Sequence, residues 1–210
     1  MTGWCRISTL ELPCCNITGQ DAQRVAGVLA QCPALAHLDV SRNYHFAAAE
    51  AERLAGVLGQ CRELAHLNLG YQNIEAGGSE MLAGVLPQCQ ALAHLNLSCN
   101  DIGAAGAERL AGVLGLNLSY NWITAAGAES LAGVLAQCPA LAHLDLRNNE
   151  IGNAGAESLA GVLVQCTALA HLDLGANGIS AVRGGRLRAS WRGQDSGLVL
   201  EDEDEDEDEH

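Results

Sequence analysis

The 210-residue chain contains no lysine; all eleven of its basic residues are arginines. That absence excludes every chemistry built on a side-chain ammonium group, including a phosphate loop ending in Gly-Lys-Ser/Thr, a kinase-type lysine and a Schiff-base nucleophile. Aromatic residues are also scarce, seven in all. Long apolar runs are missing: no stretch approaches the roughly eighteen residues of a membrane span. The amino-terminal MTGWCRISTLELPCC has no apolar block fit for a secretory signal. A cytoplasmic protein is the expectation. Positive charge is short too, and a formal charge of -14 argues against nucleic acid or an anionic membrane as partner. Nine of the twenty-five acids lie in residues 201–210, which reads as a disordered acidic tail, so residues 1–200 hold sixteen acids against eleven arginines, a charge of only -5.

What the chain does have is repetition. LAHLDV begins at Leu35, LAHLNL at Leu64 and Leu92, and LAHLDL at Leu141 and Leu169, with a divergent LEL at Leu10 and a truncated LNL at Leu116. Taking the leucine after the histidine as marker, seven strand units start at Leu10, Leu38, Leu67, Leu95, Leu116, Leu144 and Leu172, at intervals of 28, 29, 28, 21, 28 and 28 residues.

Each unit opens with L-x-x-L-x-L-x-x-N, as in Leu141, Leu144, Leu146 and Asn149; alternating leucines bury one side of a short strand and the asparagine closes the turn after it. A segment such as GAAGAERLAGVL follows. There Ala107, Leu110, Ala111 and Leu114 fall at i, i+3, i+4 and i+7, one apolar stripe of a helix. The glycine of each AGVL weakens an isolated helix, so its recurrence points either to close helix approach or to recent duplication.

Over residues 8 to 180 this pattern resembles leucine-rich repeats of the ribonuclease-inhibitor-like type, the 28-residue class also found in NOD-like receptors and the Ran GTPase-activating protein. Cys15 stands where later units have asparagine, a substitution that class allows, and Gln72 departs further. The resemblance implies an α/β solenoid over residues 1–192, a right-handed horseshoe with parallel strands on the concave side and helices on the convex side. Single units cannot bury their leucines alone, so stability must come from stacking neighbours.

The unit around residues 103–116 is short: one residue, Gly115, separates Leu114 from Leu116. If Leu116 keeps its strand place, Val113 takes the position of Leu92 and Gly115 that of the missing histidine, with a local change of curvature. Residues 181–192 read as a degenerate terminal helix with Trp191 in the place of Leu114, and Arg183, Arg186, Arg188 and Arg192 facing water. Residues 193–200 read as a linker.

Five of the seven histidines, His37, His66, His94, His143 and His171, directly precede the strand leucine. Two residues on come Glu11, Asp39, Asn68, Asn96, Asn117, Asp145 and Asp173. With strands about 4.8 Å apart, the concave wall should carry a histidine column beside an Asp/Asn column. This is either a polar, pH-sensitive ligand surface or a by-product of copying. Two imidazolium ions about 5 Å apart in water repel by roughly 0.8 kcal/mol, so the column should be mostly neutral at pH 7.

Each full later unit also contains Cys-x4-His, as Cys61 with His66, but the cysteine should point into the core and the histidine to solvent, so no metal site is expected. No H-E-x-x-H, G-x-S-x-G or Walker sequence occurs, and neither an enzyme nor a cofactor is indicated. The expected function is binding of a protein partner through the concave face, using both columns and the next exposed positions, Arg42, Tyr71, Tyr120, Arg147 and Asn148. The alternative is a GTPase-activating protein acting on a small GTPase, since a crescent followed by an acidic tail is similar to the Ran GTPase-activating protein.

Overall fold

A computed structural model describes residues 7–44, 48–110 and 115–200. Strands β1 (Thr9–Glu11), β2 (His37–Asp39), β3 (His66–Asn68), β4 (His94–Asn96), β5 (Gly115–Asn117), β6 (His143–Asp145), β7 (His171–Asp173) and β8 (Leu198–Val199) form one parallel sheet in sequence order. Between them run α1 (Gly19–Leu29), α2 (Ala48–Leu58), α3 (Glu75–Val85), α4 (Gly103–Arg109), α5 (Thr124–Leu135), α6 (Gly152–Leu163) and α7 (Ala181–Ser190), each packed on its sequence neighbour. This is an α/β leucine-rich repeat solenoid. Among the described residues no helix is long and apolar enough to cross a membrane.

The marker leucines are aligned through every unit, Leu95 pairing with Leu116 and Leu116 with Leu144. The short unit therefore keeps register, and Gly115 sits between His94 and His143. The place of Val113 and the acidic run at 201–210 lie outside the described residues. Strand and helix leucines such as Leu38, Leu58, Leu64 and Leu97 are fully buried in one continuous aliphatic core.

An asparagine ladder ties the units together. Asn149 Nδ2 donates to Leu118 O at 2.8 Å in the previous unit and to Leu146 O at 3.0 Å in its own. Its Oδ1 accepts from Asn121 N at 2.9 Å and Ile123 N at 3.3 Å. Asn100, Asn121 and Asn177 repeat the pattern. Backbone groups that would be orphaned where strand gives way to loop are thereby satisfied inside the core.

The glycines of AGVL do not mark close packing: a Cβ on Gly27, Gly56, Gly84, Gly133 or Gly161 would meet nothing within 4 Å. The close approach falls one turn or more earlier. A Cβ on Gly155 would lie 2.5 Å from Ile151 Cγ2 and 2.8 Å from Ala128 Cβ of α5, and Gly78, Gly106 and Gly127 are equally confined. The seam between helices is built from these residues.

The solenoid ends differently from its expected linker. Helix α7 stops at Ser190, Trp191 turns to extended backbone, and its indole Nε1 donates to Gln194 O at 2.8 Å while the ring packs on the core. Residues 193–200, expected to be a linker, instead carry a 3-10 turn at Asp195–Gly197 and the eighth strand. The physical cause is the open edge of β7, whose unpaired polar groups attract another strand; Leu174 N donates to Val199 O at 2.9 Å. A Cβ on Gly197 would stand 2.1 Å from Ala170 O, so glycine alone permits this approach. Arg183 pairs with Glu157 of α6 at 2.6 Å, and Arg186 pairs with the same carboxylate.

Candidate functional site

The sheet face carries the predicted columns as two rows. His37, His66 and His94 are in register on β2 to β4, His143 and His171 on β6 and β7, with Gly115 between the groups. The ring centroids of His37 and His66 are 5.4 Å apart and those of His66 and His94 4.6 Å, the latter pair stacked within 8° of parallel. His143 and His171 are looser, at 6.1 Å and tilted. His66, flanked on both sides, is held below the usual histidine pKa, first by partial burial and then by His94 and His37.

The Asp/Asn row has work of its own. One side-chain oxygen of each residue accepts the backbone N–H two positions on: Asp39 from Ser41 at 2.8 Å, Asn68 from Gly70 at 3.1 Å, and Asn96 from Ser98 at 2.9 Å. Asn117, Asp145 and Asp173 do the same for Ser119, Arg147 and Gly175. This Asx turn explains why aspartate and asparagine alternate at one position, since both offer that acceptor. The second atom of each head group is left for other contacts, and Asn68 Nδ2 donates to Asp39 Oδ2 at 2.9 Å. Burial, with the neighbouring Asp173, pushes the Asp145 carboxyl above its ordinary range.

The five histidines, Asn68, Asn96, Asn117 and Asp145 line one concave space of about 300 Å³, floored by Leu67, Leu95, Leu116 and Leu144. Arg42, Tyr71, Tyr120 and Asn148 stand elsewhere, in one row along the loops that leave the strands, all exposed and all with left-handed backbone, φ between 52° and 58°. The Arg42 guanidinium lies 5.1 Å from the centre of the Tyr71 ring, a cation–π contact. Cys99 occupies the next place in that row, and its thiol beside the Tyr71 hydroxyl holds the phenol above its usual pKa. Arg147 lies between the two groups, half-buried.

Sequence reasoning missed two residues of this rim. Tyr44 and Trp122 occupy equivalent positions two residues beyond Arg42 and Tyr120, and are 68% and 60% exposed. Their signal was available: each follows the ladder asparagine directly, where other units carry Asp101, Glu150 or Gly178. Four of the chain's seven aromatic residues thus stand on one rim, and no aromatic side chain among the described residues is fully buried.

The cysteines of the Cys-x4-His pairs lie away from the histidine and Asp/Asn rows, in or against the core. Cys61 Sγ is 3.7 Å from Leu29 O and Cys89 Sγ 3.6 Å from Leu58 O, inside the core. Burial pushes the Cys61 thiol up to about 11, aided by Cys89 and Cys32, so it stays protonated and inert at neutral pH. Among the described residues no group of three or more His, Cys, Asp or Glu could hold a metal ion.

A family model described as leucine-rich repeat matches residues 88–111, 115–132 and 137–160. Among curated proteins, none matches the sequence. Among solved structures, the chain is similar to actin-binding site 2 of leiomodin-1, at 15% identity and a TM-score of 0.51, covering 82% of this chain and 87% of that one. It is also similar to the leucine-rich repeat-containing protein LegL7 from Legionella pneumophila, at 18% identity and a TM-score of 0.52, covering 92% of this chain and 64% of that one. At such identities the likeness is one of fold. Three successive stretches that fit the repeat model, and one parallel sheet with a helix between successive strands, together give this chain the leucine-rich repeat fold.

Proposed function

We propose that the chain is a protein-binding module that takes its partner on the concave sheet face and the aromatic rim beside it. The observation that carries this reading is the placement of Tyr44, Tyr71, Tyr120 and Trp122 with Arg42 on one exposed edge, in a protein whose core is aliphatic. Tyrosine, tryptophan and arginine are the residues that most often dominate interface energetics. Trp122 also holds a left-handed φ of 54°, a conformation that disfavours a bulky side chain by about 1–2 kcal/mol. The rim varies from unit to unit while the histidine row is nearly uniform, as a surface fitted to one irregular partner requires. The 28-residue interval and the helix in each unit support the ribonuclease-inhibitor-like class.

The test is affinity capture from native lysate with the wild-type chain, a Tyr71→Ala/Tyr120→Ala variant, and a Met81→Ala control on the helix side. Partners retained by wild type and control but weakened about 10- to 100-fold by the rim variant support the reading; equal retention by all three overturns it. Actin, the protein that the leiomodin-1 segment is named for binding, is one purified candidate to titrate. GTP hydrolysis by a panel of small GTPases is measured alongside, and stimulation by the chain would favour a GTPase-activating role instead.

A further inference from the structure

The notch at Gly115 gives the concave face a specific chemistry, an inference that rests on the protein-binding reading above. His94 and His143 are two strands apart, a separation of about 9.6 Å at the backbone, with no ring between them. Because His94 stacks on His66 at 4.6 Å and 8°, its other face is turned toward β5. Its ring leans over the glycine, placing Nδ1 2.9 Å from where a Cβ on residue 115 would stand. The exposed His143 bounds the far side, and Leu95, Leu116 and Leu144 form the floor. Two strand spacings, about 9.6 Å at the backbone, match what one planar ring set between two others needs at the 4.6 Å separation His66 and His94 already use.

The polar groups around the notch narrow the choice of ring. Asn96 and Asn117 each commit Oδ1 to a loop N–H, which leaves Nδ2 as the donor on offer. Asp145 commits Oδ1 to Arg147 N, leaving Oδ2 as an acceptor. A phenol hydroxyl accepts from an amide and donates to a carboxylate at once. An indole and a guanidinium only donate, and a phenyl ring does neither. We propose that the notch over Gly115 receives a tyrosine side chain of the protein partner, its ring between His94 and His143 and its hydroxyl held by Asn117 and Asp145.

The experiment uses the full chain with N-acetyl-tyrosinamide as probe and follows the imidazole Cε1–H signals by NMR. The expected result is ring-current shifts at His94 and His143, none at His37, and a dissociation constant of about 1 mM. N-acetyl-phenylalaninamide should bind about fivefold more weakly, because it leaves Asn117 and Asp145 unpaired. Gly115→His, which restores the ring found at that place in five other strands, should abolish the shifts. Since that ring must push His94 aside, Asp145→Asn serves as a second variant; it keeps the turn to Arg147 and should weaken only the tyrosine probe.

The proposal is overturned by an absence of shifts up to about 20 mM probe, well above the expected constant, by equal shifts along the whole column, by equal binding of the two probes, or by shifts that survive Gly115→His. Partner binding lost in the rim variant but unchanged by Gly115→His would overturn the notch and leave the module reading. Probe binding at the notch with no rim-dependent partner would overturn the module reading and leave the notch.

Discussion

The third and sixth repeats carry the same three-residue strand pattern and the same kind of helix, yet differ at the residue that ties strand to neighbour. In the sixth, Asn149 donates to three carbonyls and accepts two backbone N–H groups. In the third, Gln72 reaches Val40 O with Nε2, but its buried Oε1 has no hydrogen-bond partner among the described residues. With one added methylene the amide nitrogen still meets the preceding unit, at Val40 O, but the amide oxygen finds no donor. A repeat thus tolerates a misfit in its connector when the leucine row still stacks, at the cost of one desolvated acceptor.

Breaking the intact side should have the largest effect. Asn149→Ala is expected to lower stability by about 3 kcal/mol, since five hydrogen bonds vanish inside the core, and urea denaturation followed by circular dichroism measures it. The helix seam is the same in both repeats. Gly78→Ala and Gly155→Ala should therefore each cost about 2 kcal/mol, because the added Cβ meets Ile74 Cγ2 at 2.6 Å or Ile151 Cγ2 at 2.5 Å. Gly161→Ala, with open space, should instead gain about 0.5–1 kcal/mol on the same assay. A cost at Gly161 would return the close helix contact to the AGVL glycines.

Repairing the imperfect side should raise stability by less. Gln72→Asn is expected to gain about 1 kcal/mol by satisfying the orphan oxygen; a loss would show that the third repeat has adapted to glutamine. The smallest effect concerns pH. His66 is held below its ordinary pKa of 6.5, so the folded chain binds fewer protons there than the unfolded one. The resulting destabilisation begins as pH falls through about 6.5 and is complete below the folded-state value. The urea midpoint should thus be slightly lower at pH 5 than at pH 7.5, and His66→Gln should reduce that difference.

Much of the fold could be read directly because the leucine row, and the asparagine row wherever asparagine is kept, perform one task from unit to unit; Leu116 held register despite an interval seven residues shorter than those on either side. Strand β8 was hidden because Leu198 and Val199 carry no repeat pattern and pair only through the edge that β7 offers. The wrong glycine drew notice because AGVL repeats more faithfully than the residues at the seam, and frequency of a motif says nothing of the space around it. In the candidate site, the histidine and Asp/Asn rows were legible from spacing. The Asx turns that occupy one side-chain oxygen of every Asp and Asn in the second row, and the gap over Gly115, depend on three-dimensional direction, which spacing does not encode. Tyr44 and Trp122 were overlooked because they lie beyond the last residue of the strand motif.

Near-identical strands pose a problem of arrest: any copy of HLN or HLD is a fair template for any other, within the chain or between chains. Strand β8 answers it with two residues that share no motif with the rest. Its sequence neighbours, Gly197 and Leu200, fasten it to Ala170 and the core instead of to another repeat. The last described strand of the sheet is thereby one that cannot be mistaken for another copy, and a chain cut after residue 192 should expose the β7 edge and self-associate.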